Sequence, residues 1–323
     1  MLKKLADLQA GNDFEFPVLL KQVDVRTARN SKKFLAIVFA DDTAELPGKF
    51  WDASAQDIKD FVAGKVVLLT GKCELYNGSL QIKIITMKIA EANTYSLNQF
   101  IKHAPLSQKQ MQEQINELIF QITQPKWNRI VRFLFKKYQQ KFFEYPAAKS
   151  NHHDYVGGLA YHTLSIANLA QKVCQQYPQV DQSLLLAGTL LHDLGKTIEL
   201  SGSLNTQYTL EGNLLGHIVI MDGEIVAACQ QINIDSNDEE VVLLRHMIIA
   251  HHGLNEYGSP KRPQLLEAEI LHALDELDAT ITMITKAEKR VATGEFTERI
   301  FGLDNRRFFV PNALASNNDD IKK

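Results

Sequence analysis

Cysteine is scarce in this chain. Three cysteines, Cys73, Cys174 and Cys229, are spread over 323 residues, and no two of them form a C-x-x-C pair. Such spacing excludes the common zinc–thiolate motifs, and an odd number of distant cysteines does not make a disulfide framework. We therefore expect reduced structural thiols, a cytoplasmic protein, and only nitrogen and oxygen ligands for any metal.

Long apolar runs are also missing. No run approaches the roughly 20 residues that cross a bilayer. The first residues, Met1-Leu2-Lys3-Lys4, are not followed by the apolar segment and cleavage site of a signal peptide. The composition, 45% hydrophobic and 23% charged, is ordinary for a globular protein. These features predict a protein without a membrane partner.

Charge is divided unevenly along the chain. Residues 1–150 contain 22 Lys and Arg against 15 Asp and Glu, a net of +7, whereas residues 151–323 contain 13 against 23, a net of −10. The length is enough for two domains, each with its own core. A basic half can meet phosphates and an acidic half can hold cations. Chance variation between two ordinary domains is the alternative.

Residues 1–92 contain five runs typical of strands, with a short helix expected over residues 54–61 between the third and fourth. Asn77-Gly78 is a strong hairpin signal. This order predicts a small all-β barrel of the OB type, which holds single strands on basic and aromatic side chains. A place in the core is the competing interpretation for any one aromatic residue. The candidate nucleic-acid contacts are Arg26, Arg29, Lys32, Lys33, Phe34, Lys49, Trp51 and Tyr76.

Residues 93–150 are predicted to be a linker followed by basic helices. Ser107 and Gln110 fit a capping box, and Pro125 is expected to interrupt the helical stretch 107–141. Basic side chains here, among them Arg129 and Arg132, could guide nucleic acid. A solvated surface is the alternative interpretation.

Residues 151–310 are predicted to form an all-α domain, and residues 311–323 a tail that is disordered at its end. Arg306–Phe309 are expected to pack against the domain. A nearly all-apolar helix over residues 184–191 ends in His192 and Asp193. Burial of that pair is costly unless a compensating charge, such as a divalent cation, accompanies it. Predicted helices on either side of this pair carry His162, His217, His251, His252, Asp275 and Asp278.

This order of residues resembles the HD-domain superfamily of metal-dependent phosphohydrolases. The resemblance implies one divalent ion held by a histidine, the His-Asp doublet and a distal aspartate. Dinuclear members hold a second ion on two further histidines. On this chain the first set is His162, His192, Asp193 and Asp275, with Asp278 as the alternative to Asp275, and the second set is His217 and His251.

Metal chemistry and helix geometry suggest further roles around the doublet. Asp193 is a candidate bridge between two ions. Lys196, one turn beyond it, is a candidate to stabilise negative charge on a phosphate, with a surface lysine as the alternative. His252 points about 100° away from His251 on a helix, so it is expected to face the substrate.

Four longer motifs carry a closer resemblance. They are His152-His153-x-x-x-Gly157-Gly158-Leu-x-x-His162-Thr163, Leu191-His192-Asp193-Leu-Gly195-Lys196, Glu211-Gly212-x-Leu-Leu-Gly216-His217-Ile218, and His251-His252-Gly253-x-x-Glu256-Tyr257-Gly258-Ser259-Pro260. With an OB-type barrel before them, they are similar to the YhaM family of 3′→5′ exoribonucleases over nearly the whole chain. The resemblance implies an enzyme that trims single-stranded RNA, with single-stranded DNA as a second candidate. It also implies roles near the substrate for His152, His153, Tyr257 and Ser259, which join His252 as candidate substrate contacts.

The resemblance implies Mn²⁺ as the cofactor. The ligand chemistry alone also suits Co²⁺, Fe²⁺, Mg²⁺ or Zn²⁺, as one ion or two. Two other functions fit the same residues: hydrolysis of nucleotides or cyclic dinucleotides, and a non-catalytic nucleic-acid adaptor with a relict site. Apolar positions on the last long helix also leave room for a homo-oligomer.

Overall fold

The computed structural model describes residues 4–91, 94–148, 153, 155–203, 206–255 and 258–312. The chain divides into two compact units, Met1–His103 with Gly202–Thr206, and Ala104–Ser201 with Gln207–Lys323. The first unit is built on strands and the second on helices. The predicted fold class, an OB-type barrel followed by an all-α domain, is confirmed.

The barrel unit closes on itself in the strand order β1-β2-β3-β5-β4, which leaves no free sheet edge. All neighbouring pairs are antiparallel except β3 with β5. Helix α1 lies between β3 and β4 in sequence, as predicted, and begins at a capping box on Ser54. The elements are β1 (Asp13–Thr27), β2 (Lys33–Ala40), β3 (Glu45–Phe50), α1 (Ala55–Asp60), β4 (Val66–Tyr76) and β5 (Ser79–Ile89).

The helical unit buries one continuous apolar core. Leu185, Leu186 and Leu190 of the all-apolar helix α5 are fully buried at its centre, as expected for a helix that is hydrophobic all round. The elements are α2 (Gln108–Phe120), α3 (Pro125–Glu144), α4 (Gly158–Gln176), α5 (Gln182–Leu191), α6 (Lys196–Glu199), α7 (Leu210–Gln231), α8 (Glu239–Ala250) and α9 (Leu266–Glu288).

Helices α2 and α3 contribute to this same core. Ile115 of α2 and Trp127 and Leu134 of α3 are buried with the side chains of α4, α5 and α8. Sequence analysis assigned both helices to a connecting segment over 93–150 because charged residues dominate their exposed faces. The apolar faces recur at helical spacing, and the helical unit accordingly begins at Ala104.

Helix α7 is long and apolar enough to cross a membrane by length and composition, and 39% of its most apolar window is buried. Core helices share that composition. Met221 and Ile225 of α7 lie in the core of the helical unit. The helix is interrupted at Gly216, whose φ of 71° and ψ of 157° are not helical.

Two glycines allow the backbones of α6 and α7 to touch. A Cβ added to Gly195 would lie 2.4 Å from the carbonyl oxygen of His217, and one added to Gly212 would lie 2.3 Å from that of Glu199. Both distances are far inside van der Waals contact, so only glycine fits. This contact sets the position of His217 relative to the His192-Asp193 pair.

We predict that Gly195→Ala destabilises the helical unit by about 1–3 kcal/mol, because the added methyl group collides with backbone that cannot move aside. Urea denaturation followed by circular dichroism at 222 nm measures this. Gly223→Ala, on α7 with nothing within 4 Å of the new Cβ, is the matched control and should stabilise by about 0.5–1 kcal/mol. Equal denaturation midpoints for the two variants would contradict the argument.

Candidate metal centre

Five helices bring their predicted ligands to one buried cluster. His162 comes from α4, His192 and Asp193 follow α5, His217 comes from α7, and His251 ends α8. None of the five is more than 8% exposed. Asp275 and Asp278 of α9 lie one turn apart beside His162. The structure therefore gathers every residue predicted as a metal ligand, and their roles as ligands stay a prediction.

The free ends of two helices orient two of the histidines. His192 Nδ1 is 2.7 Å from the carbonyl oxygen of Thr189, and His251 Nδ1 is 2.7 Å from that of Ile248. In both cases the carbonyl lies three residues earlier, in the last turn, where helix carbonyls have no backbone partner. A nitrogen that donates to a carbonyl is protonated, so the lone pair of each neutral imidazole is on Nε2.

Carboxylates orient the other two. Glu199 Oε1 lies 3.2 Å from His217 Nδ1 and accepts from the His217 backbone N–H at 3.1 Å. Asp278 Oδ2 lies 2.7 Å from His162 Nδ1. Metal-binding histidines characteristically donate their second ring N–H to such a carboxylate or carbonyl.

The four Nε2 atoms meet around the carboxylate of Asp193. Oδ1 lies 3.4 Å from the Nε2 of His217 and 3.9 Å from that of His251. Oδ2 lies 3.4 Å from the Nε2 of His192 and 3.6 Å from that of His162. Two ligands at about 2.1 Å from one ion are about 3.0–3.4 Å apart at octahedral or tetrahedral angles. The two separations of 3.4 Å fit an ion directly, and those of 3.6 and 3.9 Å fit one after the side chains close by about 0.2–0.5 Å. Each oxygen of Asp193 thus faces its own pair of histidines.

Several buried polar atoms in the cluster have no hydrogen-bond partner among the described residues. Among the described residues, Nε2 of His192, His217 and His251 and Oδ1 of Asp193 are buried with no hydrogen-bond partner. Leaving such an atom unsatisfied costs about 1–3 kcal/mol. Divalent cations would satisfy these four atoms, and an imidazole and carboxylate set without thiolate suits the divalent metals named above. The residues fit a metal centre. Three groups of candidate ligands are present in the described part of the chain: His162 with His192 and Asp193, His217 with His251 and His252, and His153 with His162 and Asp278.

The charges of Asp193 and His251 match this assignment. Burial raises the pKa of Asp193, but Lys196 and His192 outweigh it and hold that pKa well below the ordinary value. Burial, together with the neighbouring histidines, lowers the pKa of His251 well below its ordinary value. An ionised carboxylate and a neutral imidazole are the protonation states that bind metal. Burial lowers the pKa of His162, but Asp275 and Asp278 outweigh it and raise that pKa to about 9, so His162 loses a proton when it binds an ion.

Lys196 lies inside the site. Its Nζ is 2.7 Å from Asp193 Oδ2, and its side chain is 11% exposed. The alternative of a surface lysine is wrong for this residue. Its ammonium group partly neutralises the carboxylate at the centre of the cluster.

Asp278 and His153 form a network behind His162. Besides His162, Asp278 accepts from His153 Nε2 at 2.9 Å and from the hydroxyl of Ser165. His153 Nδ1 is 2.6 Å from the hydroxyl of Tyr155. These short distances are those of hydrogen bonds rather than of two ligands separated by an ion. His153, predicted as a substrate contact, is 5% exposed and faces Asp278.

Two other predicted substrate contacts, His252 and Ser259, follow α8 in the chain. The ring of half-buried His252 lies 4.3 Å from that of His251 and 5.2 Å from that of His217, measured between centroids. Ser259 is buried, and its hydroxyl has no hydrogen-bond partner among the described residues. His152 and Tyr257 lie outside the described residues.

Sequence reasoning missed Glu199. It belongs to a four-residue helix, α6, which carries no periodic pattern, and it is 18 residues before its partner His217. The only signal was the pair Gly212 and Gly216 in the motif around His217. Gly212 packs on the Glu199 backbone, and the positive φ of Gly216 precedes the His217 N–H that binds Glu199.

In the barrel unit, predicted nucleic-acid contacts form an exposed aromatic surface. Trp51 is 56% exposed and stacks on Phe34 with centroids 4.7 Å apart. Lys49 Nζ lies 5.7 Å from the Trp51 ring and 5.3 Å from the ring of Tyr76, which is 58% exposed. Exposed basic residues flank these rings, namely Arg26, Arg29, Lys32 and Lys33.

The basic helix α3 is occupied by contacts within the helical unit. Arg129 donates to the carbonyl of Ile232, and Arg132 donates to Asn128 while its guanidinium lies over Phe120. Lys126 pairs with Asp238 and Glu240 on the approach to α8 and in its first turn. Sequence periodicity could not show these distant partners. The nucleic-acid role predicted for Arg129 and Arg132 stays a prediction.

Comparisons with known proteins agree with this architecture. A family model described as HD domain matches residues 159–280, and one described as OB-fold nucleic acid binding domain matches residues 21–90. The chain is 45% identical over 312 residues to the 3′-5′ exoribonuclease YhaM of Geobacillus sp. (strain WCH70), covering 96% of both chains. The chain therefore belongs to the YhaM family of 3′-5′ exoribonucleases.

Proposed function

We propose that this protein is a metal-dependent 3′→5′ exoribonuclease that removes nucleotides from single-stranded RNA by hydrolysis. One observation carries the proposal: the two oxygens of Asp193 face separate pairs of histidine Nε2 atoms. This arrangement supports two ions with Asp193 as their bridge. Mn²⁺ is the proposed metal, on family membership and on a ligand set that it accepts.

Family membership and geometry together support the reaction. A bound divalent ion lowers the pKa of a water molecule and offsets the charge of a phosphodiester. Hydrolysis joins the water oxygen to the phosphorus of the 3′-terminal nucleotide. It breaks the bond from that phosphorus to the O3′ of the penultimate nucleotide, which takes a proton. Lys196, buried and paired with Asp193, adds positive charge beside the carboxylate where the phosphate would bind. His252, whose ring lies beside those of His217 and His251, and Ser259, whose buried hydroxyl has no partner among the described residues, are the proposed substrate contacts.

For the last ligand we propose Asp275 rather than Asp278. Asp275 Oδ1 lies 3.1 Å from His162 Nε2, on the side of Asp193. Asp278 binds the opposite nitrogen of the same ring and is already occupied by His153 and Ser165. Asp278 then positions His162, as Glu199 positions His217.

We propose three further properties. Single-stranded DNA is a second substrate, because stacking and phosphate contacts do not require a 2′-hydroxyl. A homo-oligomer through α9 is supported by exposed Leu277 and Ile281, one turn apart on that helix. The free cysteines, two of them buried, accord with a cytoplasmic location. Digestion of DNA beside RNA, and the mass in solution, test the first two.

We predict that Asp193→Ala abolishes digestion, because both ions lose their shared ligand, while RNA affinity in EDTA stays close to that of the wild type. Strands labelled at the 5′ or the 3′ end are digested across a series of Mn²⁺, Co²⁺, Mg²⁺ and Zn²⁺. A 3′→5′ enzyme releases the 3′ label at once and shortens the 5′-labelled strand progressively. If the wild type leaves RNA intact with every ion but hydrolyses nucleotides or cyclic dinucleotides, the exonuclease proposal is wrong.

The positioning carboxylates give a separate prediction. Glu199→Gln and Asp278→Asn should each weaken the affinity of one ion by about 10- to 100-fold, because the imidazole loses its anchor but no ligand is removed. Isothermal titration with Mn²⁺ reports the two binding steps. Asp275→Asn, which removes a proposed ligand, should weaken the ion near His162 more than Asp278→Asn does. The reverse ranking would make Asp278 the ligand.

The aromatic surface of the barrel gives a third prediction about function. Trp51→Ala should weaken single-stranded RNA binding by roughly tenfold, since stacking contributes about 1–3 kcal/mol per base. Fluorescence anisotropy in EDTA measures the affinity without cleavage. Leu75→Ala, which removes a 63% exposed side chain from β4, serves as the control and should bind like wild type. Equal affinities for all three proteins would remove Trp51 from the substrate path.

A further inference from the structure

Three phenylalanines are exposed on a short segment after α9. Phe301 is 88% exposed, Phe296 52% and Phe309 45%. We call residues 294–310, in which they lie, the C-terminal hairpin. Sequence analysis expected part of this segment, Arg306–Phe309, to pack against the domain. In the structure Phe309 and both arginines are exposed instead.

The hairpin has a defined backbone. Gly294 and Val310 are joined at its base, where the N–H of Gly294 binds the Val310 carbonyl at 2.7 Å. The N–H of Thr297 binds the Phe308 carbonyl at 2.8 Å, and that of Ile300 binds the Arg306 carbonyl at 3.0 Å. Only Thr297 and Leu303 of the hairpin are buried. The exposed rings are therefore held on a fixed support.

Two arginines of the hairpin are each fixed beside a phenylalanine ring, Arg307 beside Phe296 and Arg306 beside Phe308. Arg307 Nε donates to the carbonyl of Thr297 at 2.9 Å, and its guanidinium lies 5.5 Å from the Phe296 ring centroid. Arg306 Nε donates to the carbonyl of Leu303 at 3.1 Å, and its guanidinium lies 5.5 Å from the Phe308 centroid. Held on one side, each planar guanidinium keeps its remaining N–H groups for an outside acceptor.

Arg306 and Arg307 differ from two lysines of α3 in their ion pairs. On α3, Lys126 and Lys137 are neutralised by carboxylates of the same unit. In the described part of the chain, no ion pair involves Arg306 or Arg307. Both arginines are exposed, in the half of the chain that carries a net of −10, so their guanidinium groups are available to an external anion.

The hairpin lies in the same unit as the metal centre. A Cβ added to Gly302 would be 3.0 Å from Met283 Sδ, so the hairpin tip packs on α9. Met283 follows Asp278 by five residues, which is about 7.5 Å along a helix. A strand of a few nucleotides that ends at the metal centre is long enough to reach the hairpin.

We propose that the C-terminal hairpin is a second binding site for single-stranded RNA, in which Phe301 stacks on a base and Arg306 and Arg307 bind phosphates. Exposed rings with interleaved arginines are the chemistry of sequence-independent single-strand binding. The site rests on the proposed function, because it takes the same substrate. It adds a contact beside the metal centre that is independent of the barrel.

The test uses the full chain in EDTA and a short 5′-fluorescein RNA, with anisotropy read over a series of salt concentrations. Phe301→Ala should weaken binding by roughly tenfold through the lost stack. The double variant Arg306→Ala/Arg307→Ala should lower the slope of log affinity against log salt by about 1.4, which corresponds to two phosphates on a single strand. Tyr177→Ala and Arg262→Ala, exposed residues elsewhere on the helical unit, should bind like wild type.

The mass of each variant in solution and its melting temperature are measured alongside. If wild type degrades RNA but the hairpin variants bind it like the controls, the hairpin site is wrong and the proposed function stands. If the variants keep their RNA affinity but lose mass, the hairpin is a contact between copies of the chain, which also overturns the proposal. A wild type that degrades no RNA is a failure of the proposed function itself.

Discussion

A buried, ionised carboxylate surrounded by imidazoles is the interaction on which the helical unit depends. Asp193 is 2% exposed, and each of its oxygens faces two histidine nitrogens. Burying a charge in this way is strongly unfavourable without compensation. Lys196 supplies part of it, and the unsatisfied Nε2 atoms call for a cation to supply the rest. Metal binding is therefore expected to stabilise the helical unit, because it offsets the free-energy cost of burying this charge.

The ends of helices do the positioning. His192 and His251 bind carbonyls that the last turns of α5 and α8 leave without partners, so the same groups that end a helix also fix a tautomer. His162 lies inside α4, and His217 directly follows the interruption of α7 at Gly216. For both, a buried carboxylate takes the place of such a carbonyl. Glycine contacts between α6 and α7 then fix the position of His217 relative to the His192-Asp193 pair.

The order of histidines and aspartates predicted the centre because each ligand lies in a strong local pattern at a helix end or face. Glu199 was not predictable, since a four-residue helix has no periodicity. Asp275 and Asp278 share a helix face, so only their contacts in the folded protein distinguish them. The positive charge of α3 led to the prediction of a nucleic-acid contact there. The sequence could not show that Lys126 and Lys137 pair with carboxylates about 90 or more residues away.

The central claim is that Asp193 bridges two ions, and electron paramagnetic resonance of the Mn²⁺-loaded protein tests it most directly. Two ions held about 3.5–4 Å apart by one carboxylate are magnetically coupled. The account predicts two Mn²⁺ per chain and a coupled spectrum that becomes the six-line signal of isolated Mn²⁺ in His217→Ala. A single ion per chain, or two ions with the isolated signal in the wild type, would contradict it.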